Sequence, residues 1–115
     1  MRMWMVDPRR MCSWHLLGEH VELHMLVGTL RRKRSVAGFV ANGLIEVHSV
    51  RARHAALVRE MRRRGFRHQS PLPSFMATRL GRVVRKKSLA DLLARCERCR
   101  SLDSARTAAR APRSR

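Results

Sequence analysis

Apolar positions recur at helical spacing from Trp14 to about Arg31, and Ser13 stands where a hydroxyl can cap the free backbone N–H groups at a helix start. Leu16, Leu23, Val27 and Leu30 make one apolar stripe, and Leu17, Val21 and Met25 add apolar surface on the far side. The pattern therefore predicts a central helix wrapped by partners. His15, Glu19 and Glu22 stand at i, i+4 and i+7 and fall within about 60° of one another on a neighbouring stripe. Carboxylates on an enclosed helix are costly unless paired or used, so this stripe is either an ion-pair node or a reaction centre. Gly18 and Gly28 inside the helix each cost about 1 kcal/mol relative to Ala, which the close approach of a neighbouring backbone or a ligand would offset.

The rest of the chain is ordered around that helix. Residues 1–7 alternate too loosely for a strand and have no helix start, so they are expected to form an extended arm. Asp7-Pro8 suits the cap and first position of a short turn over Pro8 to Met11. Arg31, Arg32, Lys33 and Arg34 end the central helix with cations that complement its dipole. A short helix is expected over Ser35 to Ala41, stopped by Asn42-Gly43. A second long helix starts after Ser49, carries Val50, Ala55, Leu57, Val58 and Met61 inward, and closes at Gly65. Arg59, Arg62, Arg63 and Arg64 near its end are either phosphate-facing or solvated. Two prolines in Gln69–Ser74 make a rigid surface connector. Ser88-Leu89-Ala90-Asp91 then resembles a capping box that opens a third helix, with Leu89, Leu92, Leu93 and Cys96 inside. The expected fold class is all-α, a small single domain of about three main helices over residues 1–102, with a disordered basic tail over 103–115.

Charge sharpens the picture. Lys plus Arg total 26 against eight Asp plus Glu, a formal charge of +18. Such a field draws polyanions, nucleic acid first. Arg dominates, with Lys33, Lys86 and Lys87 the only lysines, so codon bias toward Arg can contribute to the same surplus. No run of about 18 uncharged apolar residues is present and the N-terminus lacks a secretory pattern, so a cytoplasmic protein without membrane contact is expected. Cys12, Cys96 and Cys99 are an odd set that does not suggest a disulfide framework. His20 and His24 at i, i+4 and the C-x-x-C of Cys96 and Cys99 permit a composite zinc site on paper. The two pairs are far apart in sequence, so no metal and no cofactor are expected. Serine-nucleophile motifs and phosphate-cradling glycine loops are absent.

Met1-Arg2, His15-Leu16 at the start of the central helix, Glu19 and Glu22 within it, and Arg51 to Phe66 (RARHAALVREMRRRGF) resemble the pyrimidine dimer DNA glycosylases of the bacteriophage endonuclease V type. The resemblance covers roughly residues 1–73. It implies a helical fold with the N-terminal arm threaded against the central helix, and a DNA repair glycosylase with abasic-site lyase activity. Double-stranded DNA with damaged bases would be the partner, and the protein would act as a monomer. In that family the terminal amine attacks C1′ of the damaged nucleotide and forms a Schiff base from which β-elimination cuts the strand. Here the amine would belong to Met1, retained because Arg2 is too bulky for trimming. The choice is chemically sound, since an α-amine is roughly 10–17% neutral at pH 7 and a lysine only about 0.04%.

By the same resemblance Glu22 is the catalytic acid, while Arg2 and His15 are DNA contacts. Glu19 would be an ion-pair partner of Arg2 or of a second-helix arginine. Val21 and Met25 stand where the phage member has arginines, so phosphate grip must come from elsewhere, with His24 a substitute. Trp4 and Trp14 are the aromatic residues nearest the site for stacking on a flipped base. Two alternatives stay open: a non-catalytic basic nucleic-acid-binding protein of the same fold, and an interaction module whose arginine faces meet an acidic protein and whose C-x-x-C helix binds zinc.

Overall fold

The computed structural model describes residues 1–68 and 70–110 and is helical throughout its regular elements. Five α-helices follow in order: α1 Ser13–Arg31, α2 Ala37–Ala41, α3 Val50–Arg63, α4 Arg85–Arg95 and α5 Glu97–Arg110, with 3-10 turns at Pro8–Arg10 and Val47–Ser49. The all-α class and the central helix are as the apolar spacing predicts. Cys12 rather than Ser13 is the cap residue of α1, with extended backbone and no side-chain cap bond.

α1 packs on α3, and α4 pairs with α5. Leu16, Leu23, Leu26 and Val27 from α1, Val50, Leu57 and Met61 from α3, and Leu92 from α4 form the core with Ile45 and Val47. At about 25 cal/mol per Å² of apolar surface, this small cluster supplies the main driving force for folding. The wrapped α1 is only partly realised, because Val21 and Met25 are 56% and 55% exposed. Trp14 and Gly18 share that stripe and are exposed too, leaving one face of α1 open to solvent.

The N-terminal arm is extended, as expected, and buried. Met3, Trp4 and Val6 enter the core, while the Met3 N–H donates to the Leu44 carbonyl at 2.7 Å. Ser88 Oγ donates to the Trp4 carbonyl, and Arg53 Nη1 to the Val6 carbonyl at 2.6 Å. Three separate elements thus satisfy an arm that has no secondary structure of its own. Met5 takes a left-handed φ of 55° where the arm turns.

The third helix differs from expectation at both ends. It begins at Arg85, so Ser88 lies inside it, drawn there by its bond to the arm. It stops at Arg95 because Cys96 is extended, and α5 restarts at Glu97. α5 then runs through the segment expected to be unstructured, as far as Arg110; residues 111–115 lie outside the described residues. Ion pairs from Asp103 to Arg10 (2.6 Å) and from Arg106 to Asp7 (3.7 Å) tie that helix to the first turn. Among the described residues no helix is long and apolar enough to cross a membrane.

Candidate active site

Seven of the eight carboxylates have roles that can be read from their surroundings or lie in open solvent. Glu19 is buried and accepts two bonds from Arg53, 2.5 Å to Nε and 2.8 Å to Nη2. It is therefore the partner of a second-helix arginine, one of the two roles considered for it. Glu46 is buried and binds Arg85, Ser49 and the Val83 N–H, chiefly the Arg85 guanidinium, which holds its pKa at about 2 despite burial. Glu60 pairs with Arg63 and Arg64, Asp91 with Arg2, Asp103 with Arg10, and Asp7 with Arg9 and Arg106. Glu97 is exposed. Glu22 alone is half-buried with no ion pair among the described residues.

Glu22 lines a cavity of about 750 Å³ together with Met1 and Arg2. The opposite wall comes from Asn42 to Leu44 and from the α4 side chains Lys87, Asp91 and Arg95. The extended arm brings the first residue to the middle of α1, because Met3 is pinned to Leu44 and Trp4 to Ser88. Glu22 also borders a smaller cavity of about 270 Å³ lined by Arg2, Trp4, Trp14, His15, Gly18 and Glu19. The two cavities meet at Arg2 and Glu22. All four residues singled out from the sequence, Met1, Arg2, His15 and Glu22, thus border one or both of these neighbouring cavities.

Arg2 is positioned by two contacts. Nη2 binds Asp91 at 3.0 Å, the guanidinium lies 3.8 Å above the centre of the Trp4 ring, and Nε is buried with no partner among the described residues. The Asp91 carboxyl is lowered from its ordinary value, chiefly by its bond to Arg2. His15 stacks edge-on to Trp4 at 5.6 Å, and burial lowers its pKa against the opposing pull of Glu22 and Glu19. Its Nδ1 faces thiols rather than solvent, 3.4 Å from Cys12 Sγ and 3.7 Å from Cys99 Sγ.

Gly18 does not serve a close backbone approach, since a Cβ there would meet nothing within 4 Å; its missing side chain opens the smaller cavity. Arg64 is neither phosphate-facing nor solvated. It reaches back to the carbonyls of Pro8 (3.0 Å) and Met11 (2.6 Å) and fixes the approach to α1. Sequence reasoning missed Lys87, Asp91 and Arg95 as cavity residues because they sit more than 60 positions from Glu22.

His20 and His24 do not meet the C-x-x-C pair, as their distance in sequence suggested. Cys96 and Cys99 instead join Cys12 and His15, and His20 and His24 join His54 and His68. Burial, reinforced by His54, His24 and His68, depresses the His20 pKa to about 4, and burial lowers His54 in the same way.

The small helical chain thus places its first residue and an unpaired carboxylate, Glu22, on one cavity under a formal charge of +18. The chain belongs to the pyrimidine dimer DNA glycosylase family, whose family model matches residues 1–74. No curated protein and no solved structure matches it. The matched segment ends in the connector, so α4 and α5, with half of the larger cavity wall, lie beyond it.

Proposed function

We propose that this chain excises damaged pyrimidines from double-stranded DNA inside the cell and cuts the strand at the resulting abasic site, with the Met1 amine as nucleophile and Glu22 as proton shuttle. The observation that carries this reading is the common cavity of Met1 and Glu22, in which Glu22 has no arginine partner. In a chain with 26 cationic side chains, a half-buried carboxylate left unpaired is available for proton transfer rather than for holding the fold.

The neutral amine donates its lone pair to C1′, and the glycosidic bond breaks with its electrons passing to the departing base, which takes up a proton. Glu22 stabilises the cationic sugar in the transition state and accepts the proton released by the amine. Ring opening gives an iminium between the amine and C1′. Loss of a proton from C2′ then expels the 3′-phosphate with its bonding pair, a β-elimination that needs no cofactor. Hydrolysis of the imine frees the enzyme.

Arg2 suits a phosphate contact as a cation lining both cavities, and any contact of His15 with DNA falls to the nitrogen facing away from the thiols. Trp14, 71% exposed beside the smaller cavity, is the accessible stacking surface, since Trp4 is buried. Val21 and Met25 provide apolar contact along the same stripe of α1, in place of arginine grip. Their exposure also favours the second reading, a DNA-binding domain of this fold without chemistry.

Incision of a duplex carrying a single cyclobutane pyrimidine dimer separates the two. The enzymatic reading expects cleavage by the wild-type chain, loss of at least about 100-fold in Glu22→Gln, and undiminished binding by that variant. Salt-sensitive binding with no cleavage of either dimer or abasic DNA would favour the non-catalytic reading.

A further inference from the structure

Two groups of metal-ligating side chains join α1 to its neighbours, and apart from a DNA contact through the outward nitrogen of His15 neither enters the reading above. We propose that the chain holds two zinc ions, one bound by Cys12, His15, Cys96 and Cys99 and the other by His20, His24, His54 and His68, and that both are structural.

In each group the ligating atoms lie within 4.8 Å of one another. A tetrahedral zinc ion with Zn–S near 2.3 Å and Zn–N near 2.05 Å requires ligands about 3.8 Å apart for two sulfurs and about 3.5 Å apart for sulfur and nitrogen. Three pairs of the first group already have that spacing. Cys12 Sγ is 3.8 Å from Cys96 Sγ, and His15 Nδ1 is 3.4 Å from Cys12 Sγ and 3.7 Å from Cys99 Sγ. Two backbone N–H groups point at sulfur, Cys12 N to Cys99 Sγ at 3.2 Å and Cys99 N to Cys96 Sγ at 3.4 Å. Such donors stabilise thiolates and fix ligands from outside the coordination sphere. All three cysteines are free thiols, and the two at the ends of this arrangement are junction residues: Cys12 caps α1 and Cys96 separates α4 from α5.

The second group has a different and independent mark. The Nε2 atoms of His20, His24, His54 and His68 are all buried, and none has a hydrogen-bond partner among the described residues. The rings converge with centroids 4.8–5.3 Å apart. Buried polar atoms are ordinarily paired, and four unpaired imidazole nitrogens aimed at one point lack any protein partner that could satisfy them together. A cation accepting all four lone pairs does so, and zinc tolerates a closed imidazole tetrahedron.

Four protein ligands leave no open position on either ion, which distinguishes these sites from a catalytic one. Their placement gives them a structural purpose. The thiolate site fastens the start of α1 to the α4–α5 junction, beyond the family-matched segment, and the imidazole site fastens α1 and α3 to the connector at His68. Binding at the first site exchanges thiol protons for zinc, with no change in oxidation state.

The inference does not depend on the glycosylase reading, and its test does not measure activity. The untagged chain, purified without chelator, is expected to contain about two zinc ions per chain by elemental mass spectrometry. Cys99→Ser and His54→Gln should each lower this to about one, and His15→Cys, which keeps four ligands, should retain two. Cobalt(II) exchange should produce a thiolate charge-transfer band that survives in His54→Gln and is lost in Cys99→Ser. Should a variant fail to fold, wild-type protein still decides the first site: its thiols should resist alkylation until zinc is removed. Less than about 0.3 zinc per chain after zinc reconstitution and removal of excess, or thiols equally reactive with and without chelator, would overturn the thiolate site. One zinc per chain, unaffected by His54→Gln, would overturn the imidazole site.

Discussion

Glu19→Gln tests the clamp on which the arm depends. Arg53 gives Glu19 two bonds, Val6 a third at 2.6 Å, and leaves Nη2 3.3 Å from Met11 Sδ. Both members of the pair are at most 6% exposed, so Glu19→Gln leaves a buried guanidinium without its counter-charge. Breaking one side of such a pair costs about 3–5 kcal/mol. Domains of this size are typically stable by about 5–15 kcal/mol, so the variant should be barely folded, with Tm lowered by roughly 10–30 °C. The coupled replacement Glu19→Leu with Arg53→Met removes both charges and strands only the Val6 carbonyl, at about 1–3 kcal/mol. Urea unfolding followed by circular dichroism at fixed zinc concentration, for both singles and the double, yields the coupling energy. A Glu19→Gln variant within about 1 kcal/mol of wild type, or a double as unstable as the sum of the singles, would refute the clamp.

Three further outcomes follow from the geometry. Gly81→Ala should cost at least about 3 kcal/mol, because φ is +83° and an added Cβ would lie 2.3 Å from the Ile45 carbonyl oxygen; thermal unfolding reads the loss. Glu46, with its pKa near 2 in the folded chain against an ordinary 4.5, binds fewer protons folded than unfolded. Its stabilisation, about 1–3 kcal/mol, is fully present above pH 4.5 and lost as pH falls toward 2, so Glu46→Gln should be less stable at neutral pH and lose less on acidification in urea titrations. Gly18→Ala should raise Tm through a gain of about 0.5–1 kcal/mol, since its Cβ meets nothing, while weakening binding to abasic DNA by narrowing the smaller cavity.

What could be read from sequence was whatever lies within one helix or one ungapped stretch. The spacing of His15, Glu19 and Glu22 placed all three beside one cavity, and the apolar stripe of α1 is buried as its period requires. The family resemblance over the first 73 residues agrees with the match over 1–74. Contacts closed by the chain beyond it were not legible. Lys87 and Asp91 reach the cavity through the packing of α4 on the arm, and Ser88 looked like a helix cap because its true partner, the Trp4 carbonyl, is 84 positions away. The two histidine and cysteine clusters show the same limit more sharply. The two adjacent pairs were visible and were not expected to meet, but that each is completed by residues from elsewhere could not be read. Val21 and Met25 read as buried because their period matches a wrapped helix, whereas a strip of α1 stays open beside the cavity.

The central claim, that the Met1 amine and Glu22 act together, is tested most directly by borohydride reduction of the chain on DNA with a single abasic site, followed by peptide mass spectrometry of the adduct. Lys87 lines the same cavity and is the competing amine, so the position of the adduct matters as much as its presence. The account predicts a covalent adduct on the residue 1 nitrogen that is strongly reduced in Glu22→Gln and unchanged in Lys87→Arg. No adduct with the wild-type chain, an adduct on Lys87, or an undiminished adduct in Glu22→Gln would contradict it.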